Sequence, residues 1–156
     1  MQSKIEIGYK PNATDSMGEG TKKDIEDLGI SGVDYVKTMQ LYMIEGELSE
    51  ADIENICKNL LTDAVTQYYE YKKSDHHKND IGAWMAEVSY KHGVTDTVGD
   101  STAKGIKDLG IDKKVTVNTG KRVIIKGDLS KDEIELICRR LLANEVIQNY
   151  TFRKVE

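Results

Sequence analysis

Slid along itself by 81 positions, this chain lands on a copy of itself. The shift lays Tyr9-Lys10 over Tyr90-Lys91, Thr14-Asp15 over Thr95-Asp96, Gly18 over Gly99 and Asp27-Leu28-Gly29-Ile30 over Asp108-Leu109-Gly110-Ile111. It runs on without a gap through Gly46 and Gly127, Leu48-Ser49 and Leu129-Ser130, to Ile56-Cys57 and Ile137-Cys138. Identity is about 40 per cent over roughly 67 positions, which marks an internal duplication. Two copies are too few for a solenoid, so they are expected to pair with each other as a fused dimer does. A unit of about 70 residues can just close its own core.

Within each copy the apolar period changes in a fixed order. Ile5, Ile7 and Tyr9, like Ala86, Val88 and Tyr90, alternate with polar or small residues and predict a strand with one apolar face. Thr14 or Asp15 caps a helix whose stripe is Met17, Thr21, Ile25 and Leu28, matched by Val98, Thr102, Ile106 and Leu109. Gly29 and Gly110 end it. Two strands follow, Val33 to Thr38 and Leu41 to Glu45, mirrored by Val115 to Thr119 and Arg122 to Lys126. The tight turn Gly120-Lys121 in the second copy makes them read as a hairpin.

Ser49 with Asp52, and Ser130 with Glu133, have capping-box spacing before a second helix. That helix carries Ile53, Ile56, Cys57, Leu60 and Leu61, with Ile134, Ile137, Cys138, Leu141 and Leu142 in the other copy. Val65 to Tyr71 and Val146 to Phe152 close each copy as a strand, an edge at which the copies can join sheets. The order β-α-β-β-α-β predicts an α+β protein of two ferredoxin-like repeats that form a pseudo-dimer with antiparallel sheets. The expected layout is 1–71 for the first repeat, 72–83 (KKSDHHKNDIGA) for a polar linker or exposed connection, and 84–156 for the second repeat. Trp84 is expected to pack at the junction.

Composition excludes several function classes. No apolar run approaches a membrane span of roughly 18 to 20 residues, and Met1 to Lys10 lacks the apolar core of a signal peptide. One cysteine per copy suits a reducing cytosol and not a disulfide framework, so the cytoplasm is expected. The formal net charge is −5, with no basic block to track nucleic-acid phosphates. By halves the charge is about −6 for Met1 to Lys78 and about +1 for the remainder, so the copies are electrostatically unequal. Either solvated faces have drifted apart or each copy faces a different partner.

No constellation of residues is equipped for a reaction. Cys57 and Cys138 lie on the apolar stripe with no base beside them, which reads as core. His76-His77 are adjacent on the linker and do not converge on a metal as an i, i+4 helical pair does. Asp15 and Asp96 read as helix caps, since no phosphate-binding loop accompanies them and a carboxylate repels phosphate. Expected catalytic, cofactor and metal residues are therefore none. Lys10 and Lys91 leave the first strand at the same place in both copies. With Gly120, Lys121 and Arg122 at the second copy's hairpin tip, they are the candidate partner contacts.

With these residues in view, each copy resembles PurS, the small subunit of phosphoribosylformylglycinamidine synthase. The resemblance is carried by Tyr9-Lys10-Pro11 followed by Asp15 and Gly18, by the Leu28-Gly29 helix end, by Gly120-Lys121 after Val117, and by Leu141-Leu142-Ala143-Asn144 followed by Val146-Ile147 and Tyr150. It covers nearly the whole chain apart from the linker. The first copy departs from the family pattern with Met39-Gln40 in place of Gly-Lys, and the second with His92 where the first has Pro11. Ala64 and Glu145 stand where the family often has proline, which is expected to loosen the approach to the last strand.

The resemblance implies a non-catalytic assembly and coupling subunit of an ATP- and glutamine-dependent C–N ligase in cytoplasmic purine biosynthesis. Its partners would be a PurL-type synthetase, which holds ATP, magnesium and the nucleotide substrate, and a PurQ-type glutaminase. The chain itself would bind no cofactor, and two tandem chains can associate further. A tandem ACT-like regulatory module binding an amino acid is the alternative. Asn12-Ala13 in the first copy fits its glycine-containing turn poorly, while His92-Gly93 in the second leaves it open.

Overall fold

The computed structural model describes residues 2–72 and 77–156. Among these residues six strands and four α-helices follow one another in the same order in both halves. β1 is Gln2–Tyr9, α1 Ser16–Asp27, β2 Val33–Glu45, α2 Glu50–Ile56 and β3 Gln67–Glu70; β4 is Trp84–Tyr90, α3 Thr97–Asp108, β5 Thr116–Gly127, α4 Lys131–Ile137 and β6 Gln148–Lys154. Hydrogen bonding orders the strands β3-β1-β2-β5-β4-β6, so the closing strands β3 and β6 end the order and are not where the copies meet. β1 runs antiparallel to β2 and β3, and β4 antiparallel to β6. The α+β class with two repeats holds.

The expected hairpins are absent. β2 and β5 are each one uninterrupted strand, with Met39-Gln40 and Gly120-Lys121 in their interiors. The favoured two-residue turns need positive φ at the first central position, and one of the two types needs it at both. Among the described residues no non-glycine residue has positive φ, and Gly120 does not either. Glycine-lysine alone therefore does not bend a run whose flanks keep the β alternation, and no positive hairpin tip forms at Lys121-Arg122.

These long strands explain a feature the repeat conceals. The chain divides into two compact units that do not follow the repeat. The first comprises Met1–Ala13, Gln40–Lys73 and Thr95–Gly120, and the second Thr14–Met39, Ser74–Val94 and Lys121–Glu156. Each holds four strands or strand halves and two helices, the content of a ferredoxin-like layer, with one helix taken from the other copy. In the first unit Ile5, Ile7, Ile44, Ile53, Ile56 and Cys57 are buried with Ile106, Ile111 and Val117 from α3 and its flanks. In the second, Val88, Val123, Ile125, Ile134, Ile137 and Cys138 are buried with Ile25, Ile30 and Val36 from α1 and its flanks.

α1 and α3 end at Gly29 and Gly110, whose φ of 89° and 90° is the left-handed C′ conformation that costs glycine nothing. Each predicted stripe is only partly buried: Ile25 and Ile106 are fully covered and Thr102 is 8% exposed, whereas Met17 and Val98 are 65% and 49% exposed. Met17 and Val98 open each helix on its outer side, while Gly18 and Gly99 next to them are buried against the sheet. α2 and α4 begin with complete capping boxes at Ser49/Asp52 and Ser130/Glu133. Each continues into a π-helical turn, Cys57–Leu61 and Cys138–Leu142.

The second unit has another apolar cluster on the opposite face of its strands. Met39, Ala83, Met85, Ile124 and Val155 are buried there with Tyr35 against them. The segment before β4 belongs to this layer. Gly82 donates its N–H to the Val155 carbonyl, and Val155 donates to Ala83, both at 2.8 Å. Trp84 packs on Phe152 and donates its indole N–H to the Leu129 carbonyl at 3.2 Å. His76 lies outside the described residues, with part of the expected linker.

Candidate functional sites

The most elaborate polar constellation occurs twice, at the start of α1 and of α3. Asp96 caps α3 by accepting from Gly99 N at 2.8 Å, and it also accepts from Thr119 N at 2.6 Å and from Thr119 Oγ1 at 3.0 Å. Asp15 repeats the pattern with Gly18 N at 2.8 Å, Thr38 N at 2.6 Å and Thr38 Oγ1 at 2.7 Å. A β-carbon on Gly18 would collide with the Val36 carbonyl oxygen, and one on Gly99 with that of Val117. The glycine lets the helix press on the strand and the aspartate staples it there. These carboxylates are consumed by backbone and threonine donors, so the capping reading of Asp15 and Asp96 extends to a helix-to-strand clasp.

Both thiols are fully buried. Burial, with Glu54 adding, pushes Cys57 up to about 12, and burial with Glu135 pushes Cys138 up to about 11. At pH 8 the thiolate fraction is then on the order of one part in a thousand or less, which fits a core role. We expect neither cysteine to react with a thiol reagent at pH 8 faster than the protein opens. Two thiols titrating in the dead time without denaturant would refute this.

Glu54, on α2, accepts from the hydroxyls of Tyr69 at 2.6 Å and of Tyr71, tying the edge strand β3 to the helix. Those bonds hold Glu54 below the usual carboxylate range and push Tyr69 up to about 12. In the second unit Glu135 accepts from Tyr150 at 2.7 Å, while Phe152 stands in the place of Tyr71. An open groove of about 360 Å³ in the first unit is lined by Tyr42, Leu60, Leu61, Thr97, Val98, Ser101 and Thr102. Its walls carry hydroxyls and no charge.

Sequence reasoning missed Asp80. It lies on the short 3₁₀ turn Lys78–Asp80 and is 0% exposed. It accepts from the Tyr35 hydroxyl at 2.5 Å and the Lys37 ammonium at 3.0 Å, with His77 Nδ1 at 3.3 Å. Lys126 and Lys154 donate to the next two carbonyls, of Ile81 and Gly82, at 2.9 and 3.2 Å. Residues 77–83 thus form a strap and not an exposed tether. Burial alone would raise the Asp80 pKa, but the bonds from Tyr35 and Lys37, the Lys37 charge and His77 outweigh it and hold the carboxyl below its ordinary value.

A depressed folded pKa stabilises fully above the unfolded value near 4 and is lost as pH falls through the folded one. We expect Asp80→Asn to cost about 2–3 kcal/mol at pH 7, because the donors facing it lose a charge. The difference from the parent chain should shrink as pH falls below about 4, where the unfolded parent chain takes up its proton before the folded carboxylate does. Urea unfolding at pH 7 and pH 3 measures both values, and an equal gap at the two pH values would contradict the assignment.

Of the candidate contacts, Lys10 follows β1 directly, with its Nζ donating to the Ala64 carbonyl at 2.6 Å and its N–H to Thr66 at 2.9 Å. Lys91 takes the same place after β4, its N–H donating to Ile147 at 2.8 Å. Gly120, Lys121 and Arg122 are strand residues. Arg122 Nη2 lies 3.2 Å from Glu87 Oε1 across the second unit's sheet, and burial holds the Lys121 ammonium below the usual lysine range. The approach to the last strand is firmly built despite Ala64 and Glu145. In it Asp63 N donates to Gln67 Oε1 at 2.9 Å and Asn144 N to Gln148 Oε1 at 2.8 Å.

Clasps, buried thiols and tyrosine ties, all present in two copies, define a duplicated α+β module whose polar groups mostly serve its own architecture. Among the described residues no helix is long and apolar enough to cross a membrane. The sequence model of PurS, phosphoribosylformylglycinamidine (FGAM) synthase, matches twice, over residues 2–75 and 85–156. The PurS subunit of phosphoribosylformylglycinamidine synthase from Archaeoglobus fulgidus is 36% identical over 69 residues, covering 41% of this chain and 86% of the relative. That relative is about one copy long. The chain belongs to the PurS family of FGAM synthase subunits in purine biosynthesis, in tandem form.

Proposed function

We propose that this chain is the assembly and coupling subunit of an FGAM synthase, bridging a PurL-type synthetase and a PurQ-type glutaminase, with one tandem chain in place of two single-copy subunits. The double family match carries this reading. ATP, magnesium and glutamine belong to the partner subunits, the chain contributes no catalytic residue, and the complex works in the cytoplasm. Lys10, Lys91, Gly120, Lys121 and Arg122 are candidate contacts, and the charge difference between the halves suits two unlike partners. Two tandem chains associating further is part of the same reading.

Copurification of the tagged chain with PurL-type and PurQ-type subunits, with and without glutamine and nucleotide, tests it. We expect a complex with both, and mass measurement of that complex counts the tandem chains. Binding to neither, or glutaminase activity of the purified chain alone, would overturn the reading. Reversing charges in the first half alone should weaken one partner more than the other.

A further inference from the structure

The closing strands of the two copies make unlike sheet edges. β3 has four residues, and the chain beyond it is pulled onto α2, where Tyr71 donates to Glu54 and Lys72 to Glu50. β6 has seven residues and runs on into Val155, whose N–H donates to the Ala83 carbonyl at 2.8 Å. At its other end Lys91 donates to the Ile147 carbonyl, also at 2.8 Å. In an antiparallel ladder hydrogen-bonded and non-hydrogen-bonded pairs alternate. With Trp84 to Tyr90 set against Lys154 to Gln148, those two bonds fix the phase. Asn149, Thr151 and Arg153 turn their backbone groups to β4, and Tyr150, Phe152 and Lys154 turn theirs to the outer edge.

Proteins blunt an open edge with a short strand, a bulge, a proline or a charge set across it. β3 has the first of these. β6 carries no proline, and its pairing with β4 is unbroken from Gln148 to Lys154. The Lys154 ammonium is drawn inward, donating to the Gly82 carbonyl at 3.2 Å and lying 4.5 Å from the centroid of the Trp84 ring. The charges of the strand, on Arg153 and Lys154, stand together at one end, and Gln148 to Phe152 are uncharged. That arrangement selects the strand that fits beside it. A parallel copy of β6 would set Arg153 on Arg153 and Lys154 on Lys154, and like charges opposed across strands are destabilising. An antiparallel copy related by a two-fold axis at Thr151 sets Arg153 against Asn149, Lys154 against Gln148, Tyr150 against Phe152 and Thr151 against itself. Outward residues then meet outward residues, so the Tyr150 and Phe152 pairs exchange both of their N–H···O bonds.

We propose that β6 is a self-docking edge through which two of these chains pair as a closed dimer, their sheets joined along an antiparallel β6–β6 seam centred on Thr151. A two-fold seam uses up the long open edge of each chain, and the short β3 edge offers little with which to extend the assembly into a fibre. This names the surface for the association of two tandem chains within the assembly reading. Its test needs no other subunit, so its failure leaves the bridging of two large subunits untouched.

The test uses the full chain alone, by sedimentation over a concentration series. We expect a reversible dimer of the parent. Thr151→Lys puts two ammoniums face to face across the seam while Glu87 remains its neighbour on β4. It should weaken the dimer at least tenfold, with the melting temperature of the dilute monomer nearly unchanged. Thr151→Glu should weaken it too, and an equal mixture of the two variants should restore pairing, which a local effect on folding would not do. Thr151→Cys should form an interchain disulfide under mild oxidation, because residues opposed in a non-hydrogen-bonded pair have Cα atoms about 4.5 Å apart. Cys57 and Cys138 are buried and should give no such product in the parent. Asn149→Lys, set against Arg153 of the second copy, replaces Thr151→Lys if that variant loses its fold. A parent that stays monomeric throughout the series overturns the proposal. So does a dimer that the lysine variant leaves within twofold, or a folded Thr151→Cys chain that does not cross-link, because the contact then lies elsewhere.

Discussion

Expressed alone, residues 2–72 should not give a monomer with a native core. The first unit buries Ile106, Ile111 and Val117 from the second copy, and at about 1.5–3 kcal/mol for each fully buried side chain their loss removes about 5–9 kcal/mol. That equals the whole stability of many small domains. The fragment should therefore lack a cooperative transition, or acquire one only by pairing with itself. Mixing it with residues 77–156 should restore a single cooperative unfolding step, read by circular dichroism, in a one-to-one species by sedimentation. A monomeric 2–72 fragment that melts cooperatively would show that the exchange of α1 and α3 is incidental to stability.

The second large effect belongs to the clasp. Asp96→Ala strips the partner from Gly99 N, Thr119 N and Thr119 Oγ1 at a site the structure leaves 8% exposed. Orphaned buried donors cost about 1–3 kcal/mol each, and with partial relaxation we expect a loss of about 3–4 kcal/mol. For a chain of this size that is a fall in melting temperature of roughly 10 °C. Asp15→Ala should cost less, since Asp15 is only partly covered and water can reach its donors. Gly99→Ala should rival Asp96→Ala, because the new methyl group meets the Val117 carbonyl and the strand cannot yield without breaking its ladder. Denaturant unfolding of the three variants gives the order, and Asp15→Ala proving the costliest would contradict this account.

Local signals in the sequence were faithful wherever one stretch of chain decided the outcome. The capping boxes at Ser49 and Ser130, the glycine stops at Gly29 and Gly110, and the buried stripe through Cys57 and Cys138 depend on neighbours a few residues away. What stayed hidden depends on distant partners. Nothing near Met39 or Gly120 says whether the strand turns or runs on, because that is settled by the strand lying beside it. Asp80 sits in a polar run with no apolar period, and its burial follows from Tyr35 and Lys37, more than forty residues earlier. For the contact residues, position was legible for Lys10 and Lys91, at matching strand ends. It was not for Lys121 and Arg122, whose turn exists only in the dipeptide and not in the fold.

The strap has one more implication. Its socket is built from Tyr35 and Lys37, and the second copy has Thr116 and Asn118 at those positions, with neither a phenol nor an ammonium. A pair of identical single-copy chains would present two indistinguishable ends, and a partner could settle on either. Joining the copies and seating the junction in one socket gives this molecule a head and a tail. The asymmetry is written into the covalent chain, so the two copies are structurally unlike at this position.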